Sequence, residues 1–395
     1  MFETLTSPAP DKILALIALL RDDPRQHKVD LGVGVYKDRE GRTPIMQSVR
    51  DAEQVLFAEQ TTKTYLGLAG DTTFDTKMTE LVLGDAAPAA RVRAIQAPGG
   101  SGALRILLEL LRRARPDATV WVSDPTWPNH IPMIEASGLK HVSYPYFDAT
   151  TGTVRFEAML AALAQAKPDD VVLLHGCCHN PTGANLTLDQ WREIGKLIVE
   201  KRLFPFVDIA YQGFDRDIEL DASVVRRFAA TPGPLFVSNS FSKSFSLYGE
   251  RIGALTVVAT DKDEAARALS QLKRVVRANY STPPTHGAQI IAMILGNPES
   301  SALWNMELAG MRERIRDMRK ALVDKLAKYA PDVDFRFILE QRGMFSYTGL
   351  TAAQVERLRT EFSVYAVDTG RICVAALNSR NVDYTAKAIA ALVAA

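Results

Sequence analysis

The sequence predicts an α/β protein with a mostly parallel sheet covered by helices on both faces, followed by a smaller α/β unit. Three observations carry this expectation. From about residue 92, short apolar runs bounded by turn residues alternate with helical stretches. Apolar strands interleaved with helices argue for parallel pairing between two helical layers. Around 298–330 the alternation gives way to a long charged helical stretch, and a smaller alternation resumes beyond it.

The elements follow in order. After a polar arm, Asp11 to Asp22 reads as a short helix that Asp11 can cap after Pro10. Its apolar run is too short to span a bilayer. It also lacks the basic flank and small-residue cleavage site of a signal peptide. LGVGVYKDREGRTP (31–44) has two close glycines and no helical period, so it reads as loop. Helix signals return over 45–60. RVRAIQAPGG then leads into the helix SGALRILLELLRRARP, and TVWVSDP into a short helix over 128–138. HVSYPYF, VVLLHGC, PFVDIAY, PLFVSNSF and GALTVVA read as further strands, with TLDQWREIGKLIVEKR as a helix among them. In such sheets functional residues collect at the carboxyl ends of strands. We divide the chain into a segment 1–44 that packs with the small domain, a large domain 45–305 and a small C-terminal domain 306–395.

A chain of 395 residues suits two domains, and 47% apolar with 24% charged residues is the balance of an ordinary globular protein. Lysine and arginine number 47 against 46 acids, so there is no electrostatic case for nucleic acid or an anionic membrane. Any bound anion must be held by local groups. Cys177, Cys178 and Cys373 have neither disulfide nor zinc spacing and read as reduced thiols of a cytoplasmic protein. No metal is expected.

Six stretches carry chemistry. GGSGALR (99–105) follows a strand-like run and opens a helix, where small residues let free N–H groups approach an anion. Ser101, Gly102 and Ala103 are the expected donors; a plain helix start is the alternative. The stretch is neither a P-loop nor a dinucleotide motif. In FVDIAYQGF, Asp208 ends an apolar strand, where a carboxylate needs a positive partner or serves as a cap. Tyr211 lies three residues on. In HGCCHNPTGANLT, Asn180 precedes Pro181 and Gly183, a turn that holds its amide outward. In SDPTWPNH, Trp127 can stack on a ring or simply pack in the core, and His130 can reach a carboxylate such as Asp208. In SNSFSKSFSLYGERIG, Lys243 sits near Ser240, Ser242 and Arg251, either as a solvated loop or as an amine beside a phosphate cradle. In GRICVAALN, Arg371 starts a strand and is suited to a carboxylate, or to the surface.

Together and in this order, these stretches resemble the pyridoxal-phosphate (PLP) aminotransferases of fold type I, class I, closest to the aspartate and aromatic amino-acid branch. GVGVYKD (32–38), YLGLAG (65–70), ANYSTPP (278–284) and RGMFSYTGL (342–350) add to the likeness, which spans nearly the whole chain. It implies the PLP-dependent transferase fold type I, with a large domain built on a mostly parallel seven-stranded-type sheet and a smaller C-terminal domain. It also implies roles. Lys243 would form a Schiff base with the cofactor and move the substrate proton. Asp208, backed by His130, would pair with the pyridine nitrogen. Tyr211 and Asn180 would bond the ring oxygen, and Trp127 would stack on the ring. Ser101, Gly102, Ala103, Ser240, Ser242 and Arg251 would hold the phosphate, joined by Tyr65 of a neighbouring subunit. Arg371 would clamp the substrate carboxylate, with Gly34 and Asn180 assisting. Arg277, again from the neighbour, would meet the side-chain carboxylate of a dicarboxylic substrate. A homodimer with shared sites follows from these roles.

The implied reaction is ping-pong transfer of an amino group from an aromatic amino acid or aspartate to 2-oxoglutarate. STPP at 281–284, where aspartate-type relatives often read SNPP, weakens a strictly aspartate reading. The alternatives are a strict aspartate aminotransferase or another fold-type I reaction such as decarboxylation or lyase chemistry.

Overall fold

The computed structural model describes residues 1–6 and 12–393. The apolar runs between 92 and 258 form one seven-stranded sheet: β1 (Val92–Pro98), β2 (Thr119–Asp124), β3 (Lys140–Pro145), β4 (Val171–His175), β5 (Phe204–Ile209), β6 (Leu235–Ser240) and β7 (Ile252–Val258). Their spatial order is β1-β7-β6-β5-β4-β2-β3. All neighbours pair in parallel except β7, which runs antiparallel to both β1 and β6. The reason is the connection. A parallel crossover needs a dozen or more residues, usually a helix. Residues 241–251 supply no helix, so the chain turns back on itself and places Lys243 in the turn at the end of β6.

The helices form where the periodicity places them. Leu104, Leu107, Leu108 and Leu111 of Gly99–Ala114 are buried on one side of the sheet. Leu188–Lys201 starts with a capping box between Thr187 and Gln190 and buries Trp191, Ile194 and Ile198. The first helix runs Lys12–Asp22; the Asp11 cap expected for it lies outside the described residues. The loop expected at 31–44 holds no helix or strand.

The long charged stretch is a single helix, Pro298–Tyr329, capped by Asn297 with proline in its first turn. Its hydrogen bonds change sides along its length. Glu307 accepts from Gln47 and Ser48, and Arg312 donates to the Gly213 carbonyl, partners that all precede the helix in the chain. Farther on, Arg319 donates to the Gly343 and Phe345 carbonyls, and Lys325 to Asp383. Those partners are C-terminal. This change lies within the helix and beyond residue 305. The C-terminal unit pairs Phe345–Tyr347 with Arg371–Cys373, and Val29–Asp30 pairs in parallel with Val364–Tyr365. The N-terminal segment is thereby tied to the C-terminal unit by backbone bonds.

Trp304 links the helix to the turn after β6. Its ring stacks on Phe245 at 4.4 Å between centroids and 8°, and its Nε1 donates to the Ser244 carbonyl at 2.8 Å. The whole side chain is buried. Trp304→Ala should therefore lose about 3–5 kcal/mol of stability, the usual cost of deleting a buried tryptophan. A change below 1 kcal/mol in urea unfolding would show that the turn does not rest on this ring.

Candidate active site

The sheet register builds the site. His175, Asp208 and Ser238 are paired residues on neighbouring parallel strands β4, β5 and β6, so their side chains form one row across the carboxyl end of the sheet. Ser238 Oγ donates to Asp208 Oδ1 at 2.7 Å. His130 Nε2 stands 3.4 Å from Asp208 Oδ2, a contact longer than an ordinary hydrogen bond. Thr126 Oγ1 joins His130 Nδ1 at 2.8 Å and His175 Nε2 at 3.3 Å. Burial alone would push the Asp208 carboxyl up. The His130 ring 3.4 Å away and the hydrogen bond from Ser238 outweigh burial and hold it below its ordinary range. His175 is pushed down to about 3, first by burial and then by His130, and so is neutral. The sequence reading identified Asp208 and His130 but missed Ser238, His175 and Thr126. Aligning the carboxyl ends of VVLLH, FPFVDI and LFVSNS supplies the missing signal.

A cavity of 250 Å³ lies in front of this row. Asp208, Tyr211, Asn180, Trp127, Lys243, Ser240, Ser242, Arg251, Gly100 and Ser101 line it together. Lys243 Nζ sits 5.1 Å from the centre of the Tyr211 ring. Burial lowers its pKa from 10.5 to about 8, against the opposing pull of Asp208 and with the help of Arg251. Asn180 Nδ2 donates to Tyr211 Oη at 3.4 Å, while Asn180 Oδ1 is buried without a partner. Burial raises the Tyr211 hydroxyl, with Arg371 opposing. The Trp127 ring meets His130 edge-on at 5.2 Å.

One end of the cavity is built for an anion. Helix Gly99–Ala114 begins there, and Pro98 is its N-cap. The Pro98 carbonyl accepts the first intrahelical bond, so the N–H groups left free are those of Gly99, Gly100 and Ser101. Gly100 and Ser101 line the cavity; Gly102 and Ala103, two of the three donors expected from sequence, do not. The reason is helical register, because their N–H groups fall within the hydrogen-bonded turns. Gly99, at φ +74°, lies under Arg251: a Cβ there would come within 2.3 Å of Nη2. Arg251 Nη1 reaches Ser242 Oγ at 3.4 Å, and Ser240 Oγ donates to Ser242 Oγ at 3.3 Å.

Arg371, 3% exposed, is not part of the lining; it lies near Tyr211, which is. It donates to the Gly32 carbonyl, lies 4.3 Å from the centre of the Phe345 ring, and keeps Nε buried without a partner. Gly34 is required here, since a Cβ would approach Phe345 Cζ to 2.6 Å. Phe345 was not singled out from sequence; it meets Arg371, Gly34 and, edge-on at 5.9 Å, Tyr211. Tyr65 and Arg277 are likewise absent from the lining. Tyr65 is 88% exposed. Arg277 ends helix Lys262–Asn279, donating to Ser281 Oγ at 2.7 Å.

The lowered Lys243 pKa has a testable sign. Below about pH 8 the amine carries a proton in folded and unfolded chains alike, and its burial opposes folding in full. Between about 8 and 10.5 the unfolded chain binds more protons, so stability of the cofactor-free protein rises with pH across that window. Acylation of Lys243, followed by peptide mass mapping, should have its midpoint near pH 8. A midpoint matching that of surface lysines would refute the buried-amine description.

A family model for the class I and II aminotransferases matches residues 26–389. An aspartate aminotransferase of Pseudomonas aeruginosa is 48% identical over 392 residues, covering 98% of each chain. An aromatic-amino-acid aminotransferase of Escherichia coli is 46% identical, covering 99% of this chain and all of that protein. The crystal structure of an aromatic-amino-acid aminotransferase from Burkholderia pseudomallei, covalently bound to pyridoxal phosphate, superposes with a TM-score of 0.97. It is 52% identical, with 99% of each chain covered. On this match, and with the lysine, aspartate and arginine groups meeting in one cavity, the chain belongs to the class I and II aminotransferases.

Proposed function

We propose that this aminotransferase moves the amino group of phenylalanine, tyrosine and aspartate to 2-oxoglutarate, with pyridoxal phosphate as its cofactor. The observation that carries the reading is the cavity itself. A buried amine, an ionised carboxylate and an anion cradle face one small space. The free N–H groups of the first helical turn, Ser240, Ser242 and Arg251 fit the phosphate. Asp208, held ionised, fits a protonated ring nitrogen. Asn180 Oδ1 and Arg371 Nε, both buried without partners, are groups left waiting for a ligand.

When bound, the cofactor supplies an aldehyde that takes up the amino group and a protonated ring that draws electron density from the substrate. The chain does the rest. Arg371 receives the α-carboxylate by a charge-assisted pair, and Gly34 leaves room beside Phe345. Lys243 Nζ, partly unprotonated near neutral pH, takes and returns the Cα proton. Tyr211 Oη and Asn180 tune the ring oxygen, and Trp127 holds the ring face. Lys243→Ala should retain cofactor through the phosphate donors and lose nearly all turnover; an active variant would refute the assignment. A single half-reaction should release one oxo acid per site, which separates transamination from decarboxylation or lyase chemistry.

Two placements complete the proposal. Tyr65 and Arg277 act in the site of a second copy, so the enzyme works as a homodimer; their exposure and absence from the lining of their own cavity support this. Segment 1–44 packs with the small domain of residues 306–395, a reading that the pairing of Val29–Asp30 with Val364–Tyr365 supports. Buried, unpaired Cys177, Cys178 and Cys373 support a reducing, cytoplasmic setting. No described helix is long and apolar enough to cross a membrane. Arg277→Ala should harm aspartate far more than phenylalanine, by a charge-assisted pair worth ~1.5–3 kcal/mol. The check is kcat/KM with each donor and 2-oxoglutarate as acceptor; equal losses would give Arg277 another part.

A further inference from the structure

A second cavity lies away from the site already described, where helix Thr72–Leu83 and the loop after it face edge strand β1. Its volume is 610 Å³, ample for a small organic molecule. Asp75, in the first turn of the helix, lines it and is only 9% exposed. Among the described residues no hydrogen bond or ion pair reaches its carboxyl, and Oδ1 is fully buried without a partner. A buried carboxyl in that condition is costly and calls for a donor.

The surroundings narrow the class of donor. Asp85 adds a second carboxylate to the lining, Glu80 a third that is paired with Lys77, and among the described lining residues Arg93 is the one cation. Arg93 donates from Nη1 to the carbonyls of Ala89, Ala90 and Val92, and no ion pair joins it to Asp75. Nearby cations are also engaged. Lys77 pairs with Glu80 at 2.9 Å, and Arg226 donates to the Leu81 and Val82 carbonyls and pairs with Glu219. Asp71 is committed to capping the helix. Tyr280, whose hydroxyl is raised by burial and then by Asp75, donates to the Gln96 carbonyl at 3.4 Å. The wall itself is aliphatic, with Leu83, Pro88 and Val92. A divalent metal needs several oxygen ligands at once, and no group of three candidate ligands stands together among the described residues.

We propose that this cavity binds a short aliphatic ammonium ion, with Asp75 as its anchor and the apolar wall receiving the methylene chain. The inference does not rest on the substrate reading given above. Burial, and then Asp71, raise the Asp75 carboxyl to about 8, which keeps it protonated at neutral pH. A cation binds the ionised form. Its affinity should therefore rise about tenfold per pH unit up to about pH 8 and level off above, with proton release on binding below that point.

The probe is 1,5-diaminopentane, whose amines, like a free lysine, stay charged through this range. Calorimetric titration of the cofactor-loaded enzyme at pH 6.5, 7.5 and 8.5, in buffers of different ionisation enthalpy, should give saturable binding with that pH slope and proton release. Asp75→Asn should lose at least tenfold in affinity while keeping transamination rate and melting temperature at or above those of the parent. Absence of saturable binding would overturn the proposal. So would a pH-independent affinity, or an Asp75→Asn variant that binds as the parent does.

Discussion

The site depends on keeping one carboxylate charged where burial opposes charge. Asp208 ends a strand inside the protein, and a carboxylate there would ordinarily take up a proton. Ser238 on one neighbouring strand and His130 from the helix His130–Ala136 prevent this. Parallel pairing fixes the row, since His175, Asp208 and Ser238 share register. The Thr126 hydroxyl bridges His130 to the neutral His175. A one-residue slip of β6 would turn Ser238 to the opposite face and leave Asp208 without its donor.

The amine opposite is governed by the same burial with the opposite sign. Lys243 is lowered because its charged form is desolvated, and Arg251 lowers it further. Asp208 pulls the other way, so the two groups set each other's proton affinity across the cavity. Arg251 has a double part, because the guanidinium that disfavours the ammonium also leans over the helix start at Gly99. A bound anion there would neutralise Arg251 and let the amine regain some proton affinity. Anion occupancy and amine protonation are thereby linked.

Much of this was legible in the sequence. The strand–helix alternation, Lys243 after β6, Asp208 at the end of β5 and Arg371 at the start of a strand all come from local pattern. What escaped depends on pairing or on exact helical phase. Ser238 and His175 matter only because their strands lie beside β5, and strand order is not written in any one segment. Ser101 lines the cavity, while Gly102 and Ala103, named beside it from sequence, do not and Gly100 does. Apolar period locates a helix without fixing its first residue, and the free donors are counted from that residue. Phe345 looked like ordinary strand, and its contact with Arg371 and Gly34 arises from three distant parts of the chain. Tyr65 and Arg277 came through resemblance alone; this chain by itself gives them no partner in the cavity.

The helix Pro298–Tyr329 acts as a rigid spacer. Trp304 fixes one point of it behind the lysine turn, and Arg319 fixes another at Gly343 and Phe345, whose ring lies against the Arg371 guanidinium. On the order of 22 Å of unbroken helix separates the two anchors, at 1.5 Å per residue. Adding or removing one residue between them would rotate the far anchor by about 100° as well as shift it. Evolution can therefore vary the side chains along this rod far more freely than its length.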